Sequence, residues 1–382
     1  MILNAYAVLD LFLCGIRVLL AVALAAVTVQ ALLKSRKTRS ADQEIDQPSG
    51  QENRGYLAML LGMILFGLSL AAWPMLYLLL DSYIPQWPGV MCIYGVTQIG
   101  RGTTGVSRFL PGILTTIESL RPLVVFLAGA WLVAYRTARR AETDSPLGRL
   151  PDSRQTTFPQ PAGVLAKGSL WLLVALACAS AVDAGLEAAY VVLPKQTAVR
   201  SGGCCTMMNA DNRGASGIFT HGDTPAPTWL WVSEGIVLLG MMAGLAAVAY
   251  QPVGCIRRGR LWLLCLGAAG TLILTSLFLI DIAAPWLLRL PRHHCLYCLF
   301  VEVPESLLAV LALVGGGFAV GWAGVLALVQ TRRGWQQNNR DSAMPSDAES
   351  TVDEGIRRLL RWGLAGYVSF AIMLPLEMVL AQ

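Results

Sequence analysis

Eight long apolar segments dominate this chain of 382 residues and leave few folds open to it. A membrane-spanning helix needs about 20 mainly apolar residues, and every segment meets that length. Inside lipid the backbone must satisfy its own hydrogen bonds, so such runs form helices. We therefore predict an all-α polytopic membrane bundle of about eight transmembrane helices, at about 5–33, 56–80, 111–135, 169–193, 229–250, 261–288, 300–330 and 362–380.

The composition excludes several classes of protein. Only 14% of the residues are charged and 55% are hydrophobic, whereas soluble domains carry about 25% charged residues. These values exclude a soluble enzyme, a disordered chain and a nucleic-acid binder. The three histidines all lie outside the apolar segments, which excludes b-type haem held by paired intramembrane histidines. The sequence also lacks a Walker-type glycine loop, which excludes transport driven by an ATPase of its own.

The distribution of basic residues predicts the orientation. Of the 29 Lys and Arg residues, 20 lie in the loops after spans one, three, five and seven, and 7 lie in the other loops. Because cytoplasmic loops are enriched in Lys and Arg, we predict that both termini are on the outer face. The chain is then a single lipid-embedded domain, and a bacterial cytoplasmic membrane is the expected location. The cytoplasmic linkers would be 34–55, 136–168 and 331–361, the last ending in a short interfacial helix at 352–361.

Several ionisable residues interrupt the apolar segments. Asp183 and Glu187 are four residues apart on one helix face, and they should share a proton or a cation unless an Arg separates them. Asp10 and Arg17 also share a face, and each is expected to find a partner elsewhere in the bundle. Arg121 is placed to pair with Glu118 on its own helix. The predicted intramembrane acids are Glu118, Asp183, Glu187, Glu234, Asp281 and Glu305.

Cysteines are concentrated in the predicted outer loops, 81–110, 194–228 and 289–299. Five of the nine lie there: Cys92, Cys204, Cys205, Cys295 and Cys298. Outside a bacterial cytoplasmic membrane, thiols are expected to be paired, bound to metal or engaged in exchange. We predict a disulfide between two outer loops, with Cys92 joined to Cys204 or Cys205. The cysteines within spans, Cys14, Cys178 and Cys265, are interpreted as small core residues.

The Cys295-x-x-Cys298 spacing is that of dithiol redox centres and of half of many metal sites. It precedes the seventh span, where the start of a helix favours a thiolate. This dithiol near a helix end, with cysteines in facing outer loops, resembles the membrane thiol oxidoreductases of the DsbB and vitamin K epoxide reductase type. The resemblance covers one hairpin and its facing loops, and that family has a core of four spans. It implies quinone as the electron partner, with Cys92 or the pair Cys204 and Cys205 as shuttle cysteines.

Three functions remain open on these grounds. The first is a cofactor-poor membrane subunit of a larger complex, such as an electron-transfer complex, whose disulfide-tied outer loops dock an extracytoplasmic protein. The second is a thiol–disulfide oxidoreductase that uses Cys295 and Cys298 with a quinone. The third is handling of Cu or Zn at the outer face, by soft and borderline ligands. The ligands in that case are His293, His294, Cys295, Cys298, Cys204 and Cys205.

Overall fold

The structure of the chain is a computed structural model. It describes residues 4–37, 49–87, 90, 93–97, 99–100, 103–143, 164–195, 228–251, 258–289, 295–337 and 347–380. Within these ranges the regular secondary structure is entirely helical. The prediction of an all-α polytopic membrane protein is therefore confirmed.

Eight of the described helices are long and apolar enough to cross a membrane. The spans lie at Ala5–Leu33, Gly55–Gln86, Val106–Arg140, Gly168–Val192, Thr228–Ala249, Arg258–Leu287, Pro304–Val329 and Val352–Leu380. The helices are α1 (Ala5–Lys37), α2 (Ser49–Tyr83), α3 (Ile93–Thr97), α4 (Leu110–Thr143), α5 (Val164–Val192), α6 (Thr228–Ala249), α7 (Arg258–Phe278), α8 (Ala284–Leu287), α9 (Leu296–Glu302), α10 (Pro304–Gln337) and α11 (Asp347–Leu380). The predicted interfacial helix at 352–361 is the first part of α11, which continues without a break into the last span.

The helices group into two compact units. The first comprises residues 1–202 with 332–336, and the second comprises 203–331 with 337–382. In the first unit, α1 packs against α2 and α5, and α4 packs against α5. Two apolar layers fill its interior. The first apolar layer includes Ala7, Leu79, Tyr83, Leu114 and Tyr190, and the second apolar layer includes Ala21, Leu65, Val124, Trp131 and Leu173.

In the second unit, α6 packs against α7 and α11. Helices α10 and α11 approach each other closely at glycines. A Cβ atom added to Gly366 would lie 2.8 Å from the Cα of Gly316 and would also meet the backbone oxygen of Ala312. Only hydrogen at these positions allows the two backbones to come so near, which is a common packing device of membrane helices.

A wide turn interrupts the sixth span. Residues Leu279–Ala283 form a π-helical segment between α7 and α8, and its Asp281 is buried. Such segments carry one extra residue in an otherwise α-helical run and are frequent at functional sites. Beyond the wide turn, the indole nitrogen of Trp286 donates a hydrogen bond to the carbonyl oxygen of Met378 at 3.0 Å. The turn therefore sets which way Trp286 faces.

Candidate functional site: a charged layer in the first unit

Five buried ionisable side chains from three helices meet between the two apolar layers of the first unit. We call this set the charged layer: Asp10 and Arg17 of α1, Arg121 of α4, and Asp183 and Glu187 of α5. Along α1 the layer falls between Ala7 and Ala21, which belong to the first and second apolar layers. Arg17 is twelve residues beyond Ala5, which corresponds to about 18 Å along the helix. The charges therefore lie at membrane depth.

Arg17 joins α1 to both acids of α5. Its Nη1 donates to Glu187 Oε2 at 2.7 Å, and its Nη2 donates to Asp183 Oδ2. Asp183 and Glu187 face Arg17 together because they are one helical turn apart. The sequence predicts that these acids share a proton or a cation unless an Arg separates them, and the structure supplies the Arg. The predicted partner for Arg17 elsewhere in the bundle is thereby confirmed.

Arg121 completes the ion-pair network from α4. Its Nη2 donates to Glu187 Oε1, and its Nε lies 3.7 Å from Asp183 Oδ1. Its Nη1 also donates to the carbonyl oxygen of Trp73 at 3.3 Å, which ties in α2. The sequence predicts a pairing with Glu118 on the same helix, but the guanidinium extends across to α5. A long side chain can reach a neighbouring helix as easily as the next turn of its own.

Asp10 is the third acid of the charged layer. Its side chain is fully buried, and neither carboxylate oxygen has a hydrogen-bond partner among the described residues. It lies beside Cys14 and Glu187, and the ligand atoms of the three residues are within 4.8 Å of one another. Asp10 and Cys14 are one helical turn apart on α1, which places them on one face. Cys14, interpreted from sequence as a core residue, thus borders the charged layer.

The formal charges in this layer do not balance. Two guanidiniums face three carboxyl groups, so full ionisation leaves one negative charge inside the membrane. An unpaired buried charge is very costly, and such a group takes up a proton or a cation instead. A metal ion at Asp10, Cys14 and Glu187 is disfavoured, because both oxygens of Glu187 already accept from Arg17 and Arg121. The positive guanidiniums would repel a metal ion, whereas one proton balances the layer.

The first unit contains two further buried hydroxyl groups, one that interacts with Asp10 and one that is close to Asp183 in the sequence. Tyr83 belongs to the first apolar layer, and its hydroxyl has no hydrogen-bond partner among the described residues. It interacts electrostatically with Asp10. Ser180, three residues before Asp183, is fully buried, and its hydroxyl is likewise unpartnered within the described part of the chain. Both hydroxyls can donate and accept a hydrogen bond.

Lys195 covers the end of α5 next to Tyr83. Its Nζ donates to the carbonyl oxygens of Tyr190 and Val191, at 2.9 and 3.2 Å. The ammonium also lies 5.0 Å from the ring centre of Tyr83 and 4.9 Å from that of Tyr190. Both arrangements favour the cation, because a helix C-terminus and an aromatic face are negative. Burial outweighs them and lowers the pKa of Lys195 to about 8.

Acylation of the Lys195 amine is expected to reach half its maximal rate near pH 8, because only the neutral amine reacts. A lysine in a model peptide, with a pKa of about 10.4, serves as the reference. Since the folded-state pKa is below the ordinary value of 10.5, the unfolded chain binds this proton more tightly between about pH 8 and 10.5. The Lys195 contribution to stability therefore increases as the pH rises through that window. A labelling midpoint equal to that of the peptide would contradict this prediction.

The other residues predicted from the sequence are spread over both units. Glu234 and Asp281 are buried in the second unit, Glu118 is half-buried, and Glu305 is exposed in the first turn of α10. Cys295 is buried and Cys298 is half-buried. They lie at the start of α9, a helix of seven residues that precedes α10, so the dithiol is separated from the seventh span by a short helix. The remaining predicted residues, Cys92, Cys204, Cys205, His293 and His294, lie outside the described residues.

The redox and outer-face metal hypotheses therefore stay predictions, as does the disulfide between outer loops. The sequence alone did not predict that α1, α4 and α5 share one network, nor that Cys14 belongs beside it. The sequence does contain one signal for this network. Asp10 and Arg17 in the first span lie at a similar depth to Asp183 and Glu187 in the fourth span, which crosses the membrane in the opposite direction. Comparison with known proteins finds no matching family model, no matching curated protein and no matching solved structure.

Proposed function

We propose that this protein is a proton-coupled integral membrane protein, in which Asp10 takes up and releases a proton inside the membrane. The observation that carries the proposal is the third carboxyl group of the charged layer. Arg17 and Arg121 with Asp183 and Glu187 form a neutral set that joins three helices. Asp10 adds a buried carboxyl group that this set does not need for charge balance.

The surroundings of Asp10 favour a change of protonation over permanent burial of a neutral acid. The groups facing it are Glu187 from α5, Arg17 and Cys14 from its own helix, Arg121 from α4 and Tyr83 from α2. Burial and Glu187 favour the neutral acid, whereas Arg121 and Arg17 favour the carboxylate, so each protonation state has groups that stabilise it. Ionisable groups at membrane depth commonly mark proton relays and ion pathways.

Proton uptake at Asp10 also suggests how the site acts on the helices. With Asp10 ionised, the excess negative charge attracts both guanidiniums away from Glu187 and Asp183. With Asp10 protonated, the two guanidiniums form ion pairs with Asp183 and Glu187 only. Protonation therefore changes the balance of forces between α1 and α5, the kind of local charge change that can bias a two-state element. A cofactor-poor subunit of a larger membrane complex, the leading hypothesis from the sequence, can use such a step.

A proton titration of the purified protein tests the site. Asp10→Asn is expected to remove about one bound proton between pH 5 and 9, because the variant carries no titratable group at that position. Asp81→Asn provides the matched control, since Asp81 is exposed on α2 of the same unit. Asp81 is not part of the charged layer, so the control should bind as many protons as the wild type between pH 5 and 9. Identical curves for all three proteins would contradict a proton exchanged at Asp10.

Proteoliposomes test the coupling. After the external medium is acidified, vesicles with the wild-type protein are expected to acidify inside faster than empty vesicles. Asp10→Asn should reduce the rate to that of empty vesicles, while Asp81→Asn should retain it. If the titration shows the extra proton but the vesicles show no protein-dependent flux, Asp10 binds a proton that does not cross the membrane, and proton coupling across the bilayer is wrong.

A further inference from the structure

The second unit carries a different kind of buried carboxyl group. Glu234 of α6 is 4% exposed, and its Oε1 accepts a hydrogen bond from the Thr275 hydroxyl of α7 at 2.5 Å. Its other oxygen, Oε2, has no hydrogen-bond partner among the described residues. Glu234 also forms no ion pair within the part of the chain that the structure describes. In this respect it differs from the acids of the charged layer, which face two guanidiniums.

Hydroxyl groups frame Glu234 from the helices packed against α6. Thr271 and Thr275 contribute from α7, and Tyr367 contributes from α11. The Tyr367 side chain is fully buried and interacts with both Glu234 and Thr271, although its hydroxyl forms no hydrogen bond of regular geometry with a described residue. Thr271 donates to the carbonyl oxygen of Gly267 on its own helix at 2.8 Å. Among the described residues, the titratable side chain that interacts with Glu234 is Tyr367, and a tyrosine is neutral at physiological pH.

From this geometry we infer that Glu234 is a second proton-binding site, held as a neutral carboxylic acid and framed by hydroxyl groups. The physical reason is the missing countercharge. A carboxylate buried in a membrane without an ion-pair partner is strongly disfavoured, whereas the protonated acid can donate its O–H to a hydroxyl oxygen. Oε2 lacks a partner among the described residues, and protonation gives it an O–H that it can donate to a neighbouring hydroxyl oxygen such as that of Tyr367.

A structural role for Glu234 does not explain this arrangement. A Gln at this position would accept from Thr275 equally well and would carry no risk of a buried charge. A monovalent cation is the other ligand that could neutralise the acid. Glu234 offers a carboxylate and its neighbours offer hydroxyl oxygens, which are hard donors of the kind such ions use. The proton is favoured because it gives Oε2, which has no partner among the described residues, an O–H to donate, while Oε1 keeps its hydrogen bond from Thr275.

The inference rests on residues of the second unit alone and does not depend on Asp10. Its failure would leave the proposed function intact, and failure of the proposed function would leave Glu234 unaffected. If both sites are correct, each unit, with four of the eight spans, contains its own proton-binding carboxyl group, one among guanidiniums and one among hydroxyls.

Infrared spectroscopy of the full-length protein in sodium-free buffer at neutral pH tests the inference. The difference spectrum of wild type minus Glu234→Gln is expected to contain the carbonyl band of a protonated carboxylic acid. Glu305→Gln is the matched control, because Glu305 is an exposed residue of the same type in the same unit. The difference spectrum of this control should contain carboxylate bands in place of the carbonyl band of a protonated acid.

Two outcomes would overturn the inference. Carboxylate bands in the Glu234→Gln difference spectrum would show that Glu234 is ionised at neutral pH. Disappearance of the carboxylic acid band when sodium is added at constant pH would show that the site binds a cation in place of a proton.

Thr275→Val adds a positioning test. Without the Thr275 hydroxyl the ionised form loses its hydrogen bond, so the acid band should persist to higher pH than in the wild type.

Discussion

Arg17→Met is expected to lower the free energy of unfolding by about 3–5 kcal/mol, which is the usual cost of removing one partner from a buried ion pair. Arg17 is fully buried and donates to both Asp183 and Glu187. Its loss leaves three buried carboxyl groups with Arg121 alone. Helix content followed during thermal or denaturant unfolding in detergent measures the effect.

Arg358→Ala provides the control for this prediction. Arg358 pairs with Glu354 one turn away on α11, and the two side chains are 54% and 67% exposed. Exposed pairs of this spacing contribute about 0.3–0.5 kcal/mol, so the control should unfold almost like the wild type. A double variant, Arg17→Met with Asp183→Leu, should recover part of the loss, because it removes one stranded charge together with its partner. Equal stabilities of Arg17→Met and Arg358→Ala would show that the charged layer does not hold α1 to α5.

Gly366→Ala is expected to destabilise the second unit by about 1–3 kcal/mol, the usual range for overpacking. The added methyl group would meet the backbone oxygen of Ala312 and the Cα of Gly316, and backbone atoms cannot move aside as a flexible side chain can. Helices α10 and α11 would have to separate. Thermal unfolding of the purified protein measures this change.

The control for this prediction is Gly315→Ala, one residue from the contact on α10. A Cβ atom at Gly315 would meet nothing within 4 Å. Alanine is the better helix former, so this variant should be as stable as the wild type or more stable by about 0.5–1 kcal/mol. If both substitutions have the same effect, helix propensity rather than close backbone packing governs this region.

Much of the fold could be predicted from the sequence, because lipid leaves helices as the choice for apolar runs of this length. The details that escaped prediction have local causes. Helix α9 was included in part in the seventh span, since residues 300–303 are nearly as apolar as the first turns of α10. The break is a backbone feature at Val303, whose φ of −130° and ψ of 75° are not helical. The hydrophobicity of the sequence does not predict a helix break of this kind, because it depends on the backbone angles of one residue.

The candidate site was only half visible in the sequence. Periodicity shows that Asp183 and Glu187 share a face, and that Asp10 and Arg17 share another. It does not show which helices are neighbours, because spans that are apolar on all sides carry no directional signal. The pairing of Arg121 with α5 depends on helix packing and on the reach of a long side chain. The burial of Asp10 without a hydrogen-bond partner depends on both.

The wide turn at Leu279–Ala283 sets the angular phase of α8. Each residue of an α-helix turns the following side chains by about 100°. Trp286 lies beyond the turn, with its ring centre 6.2 Å from that of Trp231. Because the turn absorbs one extra residue, the same sequence in an unbroken α-helix would rotate Trp286 away from Trp231 and from Met378 together. A chain one residue shorter in this stretch would form a regular helix and keep both contacts.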